Sequence, residues 1–107
     1  MSLTVYLEEM VLTDVYASNI THNLTTMAKE AGIYQHLWRP EEIGIVKAEQ
    51  LIEPLTEGLA RLKENPQLFK GFNPENGWGE YHSLVEFVEK YLLSCVEHPN
   101  AAVNVSR

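Results

Sequence analysis

Apolar and polar residues alternate over residues 3–8, LTVYLE: Leu3, Val5 and Leu7 face one way, Thr4, Tyr6 and Glu8 the other. A period of two predicts a strand with one buried face. Residues 10–17, MVLTDVYA, are rich in β-formers with no turn signal ahead of them, so they continue that strand past a bulge or form a second one. From Ile20 the period lengthens. Ile20, Leu24, Met27, Ala28 and Ala31 form a helical stripe. Ser18 or Asn19 can cap its start, accepting the free amide hydrogens of the opening turn. Gly32 can take the left-handed conformation that ends it, and Ile33 supplies the apolar contact beyond. The pattern predicts a first helix over residues 19–31.

Residues 33–42 read as a connector holding Trp38 and Pro40. Ala48, Leu51, Ile52, Leu55, Leu59 and Leu62 then trace a long helix. Pro54 interrupts it, lacking an amide hydrogen and crowding the carbonyl of Gln50. The stripe stays in phase across Pro54, which favours one kinked helix over two. Asn65-Pro66 ends it, and residues 66–79 form a second loop with an Asn76-Gly77 turn. Leu84, Phe87, Val88, Tyr91, Leu92 and Cys95 mark a third helix, stopped by His98-Pro99-Asn100. Ala101, Val103 and Val105 alternate again as a terminal strand. The expectation is a single α+β domain over residues 1–107, with three principal helices and a small two- or three-stranded sheet formed by the chain ends. Such a sheet has open edges, which makes a homodimer plausible.

Composition narrows the function classes. A length of 107 residues, 45% apolar and 21% charged, is that of one ordinary globular domain. The net charge is −7, and the 8 basic residues are scattered. Nucleic acid and membrane are therefore not expected partners, whereas a protein partner, including a basic one, fits. A single cysteine excludes an intrachain disulfide. No apolar run approaches 18 residues, and no basic segment precedes an apolar one at the N-terminus, so a cytoplasmic location is expected. The three Asn-x-Ser/Thr triplets, at Asn19, Asn23 and Asn104, are then read as capping and strand chemistry rather than glycosylation.

Chemistry-bearing patterns are sparse. No two of His22, His36, His82 and His98 stand three or four apart, and neither H-E-x-x-H nor C-x-x-C occurs, so no metal or other cofactor is expected. Cys95 lies on the apolar face near a helix end, the place of a small hydrophobe rather than a nucleophile. Glu8-Glu9 and Glu41-Glu42 are sequence neighbours that point apart and make poor acid/base partners. No nucleophile elbow, Walker loop or dinucleotide fingerprint is present. With no catalytic residue to name, the reading is a non-enzymatic interaction or accessory protein.

The alternative is a small-molecule-binding protein or enzyme with a pocket between the NITHN helix start and the NGWGEY turn. Asn19, Thr21, His22 and Asn23 would supply polar groups at a helix start that attracts anions. Trp78 and Tyr81 would supply flat walls, joined by Trp38 and Tyr34, with His22 as proton shuttle. The structural account of the same residues is capping by the polar cluster and a loop locked by Trp78 between Gly77 and Gly79.

The stretches NITHNLTTMAKEAGIYQHLWRPEE, NPENGWGEYHSLVEFVEKYLLSC and HPNAAVNVSR together resemble a family of small, uncharacterised bacterial and phage-associated proteins. The shared pattern is N-I-T-x-N before a Met-bearing helix, then N-G-W-G-x-Y, a helix and a terminal V-x-V-S-R strand, covering most of the chain. The resemblance implies that Asn19, Thr21, Asn23 and the 76–81 turn belong to the family's pattern, and it carries over no catalytic role.

Overall fold

Three strands and five helices follow one another in the computed structural model, which describes residues 2–9, 13–73 and 80–107. Strands β1 (Ser2–Glu9), β2 (Thr13–Thr21) and β3 (Ala102–Ser106) make one antiparallel sheet in the order β2-β1-β3. The alternation at the N-terminus places Leu3, Val5 and Leu7 fully inside. Their cross-strand partners Ile20, Ser18 and Tyr16 on β2, and Val105 and Val103 on β3, share that face. Of the two readings of residues 10–17, a second strand is what residues 13–17 form, and residues 10–12 lie outside the described residues. A bulge is present within the pair as well: Leu7 faces Tyr16 and Glu8 faces Asp14, leaving Val15 as the extra residue.

The first helix begins later than its stripe suggests. β2 continues through Thr21, so Ser18 and Asn19 stand in a strand and cap nothing. Thr21 is the cap instead, its Oγ1 accepting from the Asn23 amide at 3.2 Å. A 3-10 turn over His22–Leu24 leads into α1 (Thr25–Glu30). Ile20 and Leu24 fit a helical stripe, but a strand end followed by a tight turn buries both equally well, and pairing with Leu3 decides for the strand. The stop is as expected. Gly32 has φ 79°, its amide bonds Lys29 O at 3.0 Å, and the Ile33 amide bonds Ala28 O at 3.0 Å, a Schellman ending.

The expected connector after Ile33 is largely helical: α2 (Tyr34–Trp38), then a 3-10 turn over Pro40–Ile43. α3 (Glu49–Glu64) is one helix running across Pro54. Its start has no capping side chain at Ala48, and the orphan donors are met from elsewhere. Gln50 reaches back, its Oε1 accepting from the Val46 and Lys47 amides at 2.7 and 2.9 Å. The amides of Ala48 and Glu49 bond the carbonyls of Ala101 and Pro99, both at 2.9 Å. This lays residues 46–49 along the outer edge of β3. Part of the expected second loop is also helical, α4 (Pro66–Lys70), with Pro66 at a first-turn position that needs no amide hydrogen. The Asn76-Gly77 turn and Trp78 lie outside the described residues.

α5 (Tyr81–Glu97) follows its sequence pattern and ends before His98. Leu84, Phe87, Val88, Tyr91 and Cys95 enter one core with Leu51, Leu55 and Leu62 of α3 and the inner face of the sheet. The architecture is α+β, with the first helical segment, α3 and α5 as its principal helices. Among the described residues, no helix is long and apolar enough to cross a membrane.

Candidate functional site

The residues singled out in the sequence are spread over three places. At the start of the first helical segment, His22 and Trp38 are bonded to each other: the indole Nε1–H donates to His22 Nδ1 at 2.8 Å. His22 Nδ1 is therefore the unprotonated nitrogen in this arrangement. Trp38 is 2% exposed, and Tyr34 stacks on it with ring centroids 5.7 Å apart and planes 17° off parallel. Lys29 Nζ sits 4.8 Å above the Tyr34 ring, and Arg39 Nε donates to the Tyr34 hydroxyl at 3.2 Å. From the other end of the chain, Arg107 Nη1 donates to Trp38 O at 2.9 Å and to both Glu41 carboxylate oxygens at 2.9 and 3.1 Å. Two of the four expected aromatic walls, Trp38 and Tyr34, thus stand beside His22, where they form a closed stack. Asn23 is exposed, and Thr21 is engaged as the cap.

Tyr81 serves a different junction. Its amide donates to Asn73 Oδ1 at 2.8 Å and its hydroxyl to Leu62 O at 2.6 Å, joining the start of α5 to the end of α3. Asn19 lies on the third site, a shallow groove of about 200 Å³ where Ser18 and Asn19 of β2 run beside His82, Ser83, Glu86, Phe87 and Lys90 of α5. Trp78 lies outside the described residues.

The remaining reactive groups are occupied or insulated. Cys95 is fully buried, and burial pushes its thiol up to about 12, so thiolate does not form near neutral pH. Burial likewise raises Tyr91, whose ring lies 5.9 Å from Tyr16 in a stack. Burial lowers His36, and the nearby Arg61 charge lowers it further. Each carboxylate of the two neighbouring pairs has its own partner: Glu8 with Asn104, Glu9 with His98, Glu41 with Arg107 and Glu42 with Arg39. Among the described residues, no three His, Cys, Asp or Glu side chains gather as a metal site would require.

A larger concavity lies elsewhere, between α3 and α5. It measures about 610 Å³ and is floored by Leu59, Leu92, Leu93 and Val96, with Glu86, Glu89 and Lys90 on its rim. Leu93 and Val96 are 58% and 54% exposed. The signal for this groove was present in the sequence: Leu93 and Val96 are apolar yet fall off the stripe that α5 buries. No protein-family model, curated protein or solved structure matches this chain.

Proposed function

We propose that this chain is a non-enzymatic interaction module that takes a helix of another protein into the α3/α5 groove. One observation carries the reading: the α3/α5 groove is larger than the groove beside Asn19 and is apolar, while Thr21, His22 and Tyr81 of the expected pocket are held by internal bonds. An amphipathic helix lays its apolar ridge into such a groove. Glu86 and Glu89 on the rim and the net charge of −7 favour basic residues flanking that ridge. Water leaves Leu93 and Val96 on docking, and that burial is the main driving term.

The test is purification from the native host with three baits: wild type, Leu93→Glu and Val46→Glu. Val46 is exposed but lies on a different surface. A basic helical partner, identified by mass spectrometry, is expected on wild type and Val46→Glu and is lost from Leu93→Glu. Equal retention by Leu93→Glu, no partner on wild type, or turnover of a small molecule by the pure protein overturns the reading.

A further inference from the structure

The two outer strands of the sheet differ in how their free sides are treated. Val103 donates its amide to Val46 O at 2.9 Å, away from β1, so the 46–49 segment covers the edge of β3. The direction of that bond also fixes the rest of the ladder. Along antiparallel pairs the bonding direction alternates residue by residue. With Val103 facing outward, Ala102, Asn104 and Ser106 bond β1 at Glu8, Tyr6 and Thr4. Leu3, Val5 and Leu7 are left to bond β2, at Ile20, Ser18 and Tyr16. The amide and carbonyl of Ala17 and of Asn19 therefore point off the free edge of β2. Among the described residues, no backbone group bonds them.

Edge strands are normally blunted by lysine, by proline or by inward charges. Val15–Thr21, VYASNIT, contains no charged residue and no proline. α5 runs antiparallel to this strand: Tyr91 stacks on Tyr16, while His82, Ser83, Glu86 and Lys90 come alongside Ser18 and Asn19. Glu86 and Lys90 stand one helical turn apart beside the open edge. Among the described residues, neither belongs to an ion pair.

We propose that the β2 edge pairs with β2 of a second copy of this chain, antiparallel about a two-fold axis near Ala17 and Ser18, giving a continuous six-stranded sheet. Self-association is favoured over a foreign strand by charge. The two-fold sets the two α5 helices antiparallel across the seam, which brings Glu86 toward Lys90 of the second copy and Lys90 toward its Glu86. A surface that is complementary to itself in this way fits an isologous dimer. The inference rests on the sheet edge; Glu86 and Lys90 also stand on the rim of the α3/α5 groove, and the edge prolines are the variants that leave that groove untouched.

Sedimentation over a wide concentration range, with melting temperature measured in parallel, tests it. Wild type is expected to be dimeric. Ala17→Pro and Asn19→Pro remove amides that face solvent in the monomer, so they give folded monomers whose melting temperature no longer rises with protein concentration. Ser18→Pro removes an amide bonded to β1 and is expected to lower the melting temperature sharply. Glu86→Lys or Lys90→Glu weakens dimerisation roughly tenfold, and the double exchange restores it. That cycle leaves the strand untouched and decides the matter if a proline variant fails to fold. A wild-type monomer throughout, a dimer that survives both edge prolines, a dimer broken only by Leu93→Glu, or a charge cycle without restoration overturns the proposal.

Discussion

Trp38 gives its indole hydrogen to Nδ1 of His22 at 2.8 Å, sixteen residues away along the chain. The bond holds the largest buried side chain among the described residues against the start of the first helical segment. It turns a histidine that could have served as a proton shuttle into a fixed acceptor.

His22→Phe strands that indole hydrogen in a buried place, which costs about 1–3 kcal/mol. His22→Gln keeps an acceptor and should recover most of the loss. Urea unfolding followed by circular dichroism measures both. Equal stability of wild type and His22→Phe would show that the bond is dispensable.

Gly58 lies in the middle of α3, where a Cβ would run into the Ile33 side chain. Gly58→Ala gains helix propensity but overpacks the contact, and overpacking of a tight core costs about 1–3 kcal/mol. The melting temperature should therefore fall. At Gly44 the space is open but φ is 74°, so Gly44→Ala is expected to destabilise through backbone strain alone.

Alkaline pH should destabilise the fold. The Cys95 thiol is raised from 9.0 to about 12, and Tyr16 and Tyr91 are raised by burial too. The folded state thus holds protons that the unfolded chain releases. The contribution of Cys95 is complete below about 9 and is lost as pH rises toward about 12. Tyr91→Phe removes a buried hydroxyl that has no hydrogen-bond partner among the described residues. It should leave stability at neutral pH unchanged or higher and flatten the alkaline loss, as read from melting temperature against pH.

Acid pH should act through His36, whose lowered value means that the folded state resists the proton. Its contribution is complete above the ordinary histidine range, about 6.5, and is lost as pH falls below it. His36→Gln should make the melting temperature less sensitive to pH in that window.

Arg107 ties the end of β3 to Trp38 O and Glu41. Arg107→Ala should cost about 0.5–1.5 kcal/mol, mostly from the carbonyl bond, because an exposed ion pair contributes little. Glu41→Ala should cost less. The double variant should fall short of the sum, since one side chain serves both contacts.

Strands β1 and β3, helices α3 and α5 and the stop at Gly32 were legible in the sequence because each is written locally. A period of two or 3.6 decides which face is buried, and a glycine or an Asn-Pro step decides where the run stops. The start of the first helix was not legible, because Ile20 and Leu24 satisfy either a helix or a strand followed by a turn. Pairing with Leu3 settled it. The opening of α3 depends on carbonyls of Pro99 and Ala101, some fifty residues further along. His22 and Trp38 meet only because the Gly32 turn folds α2 back beside the first helical segment. The covered edge at β3 follows from where residues 46–49 lie, and no local pattern encodes that. Side chains and backbone groups far apart in the chain can choose their partners only once the core has brought them together. The hydrogen-bonding edges and the acceptor role of His22 were therefore decided by the tertiary structure alone.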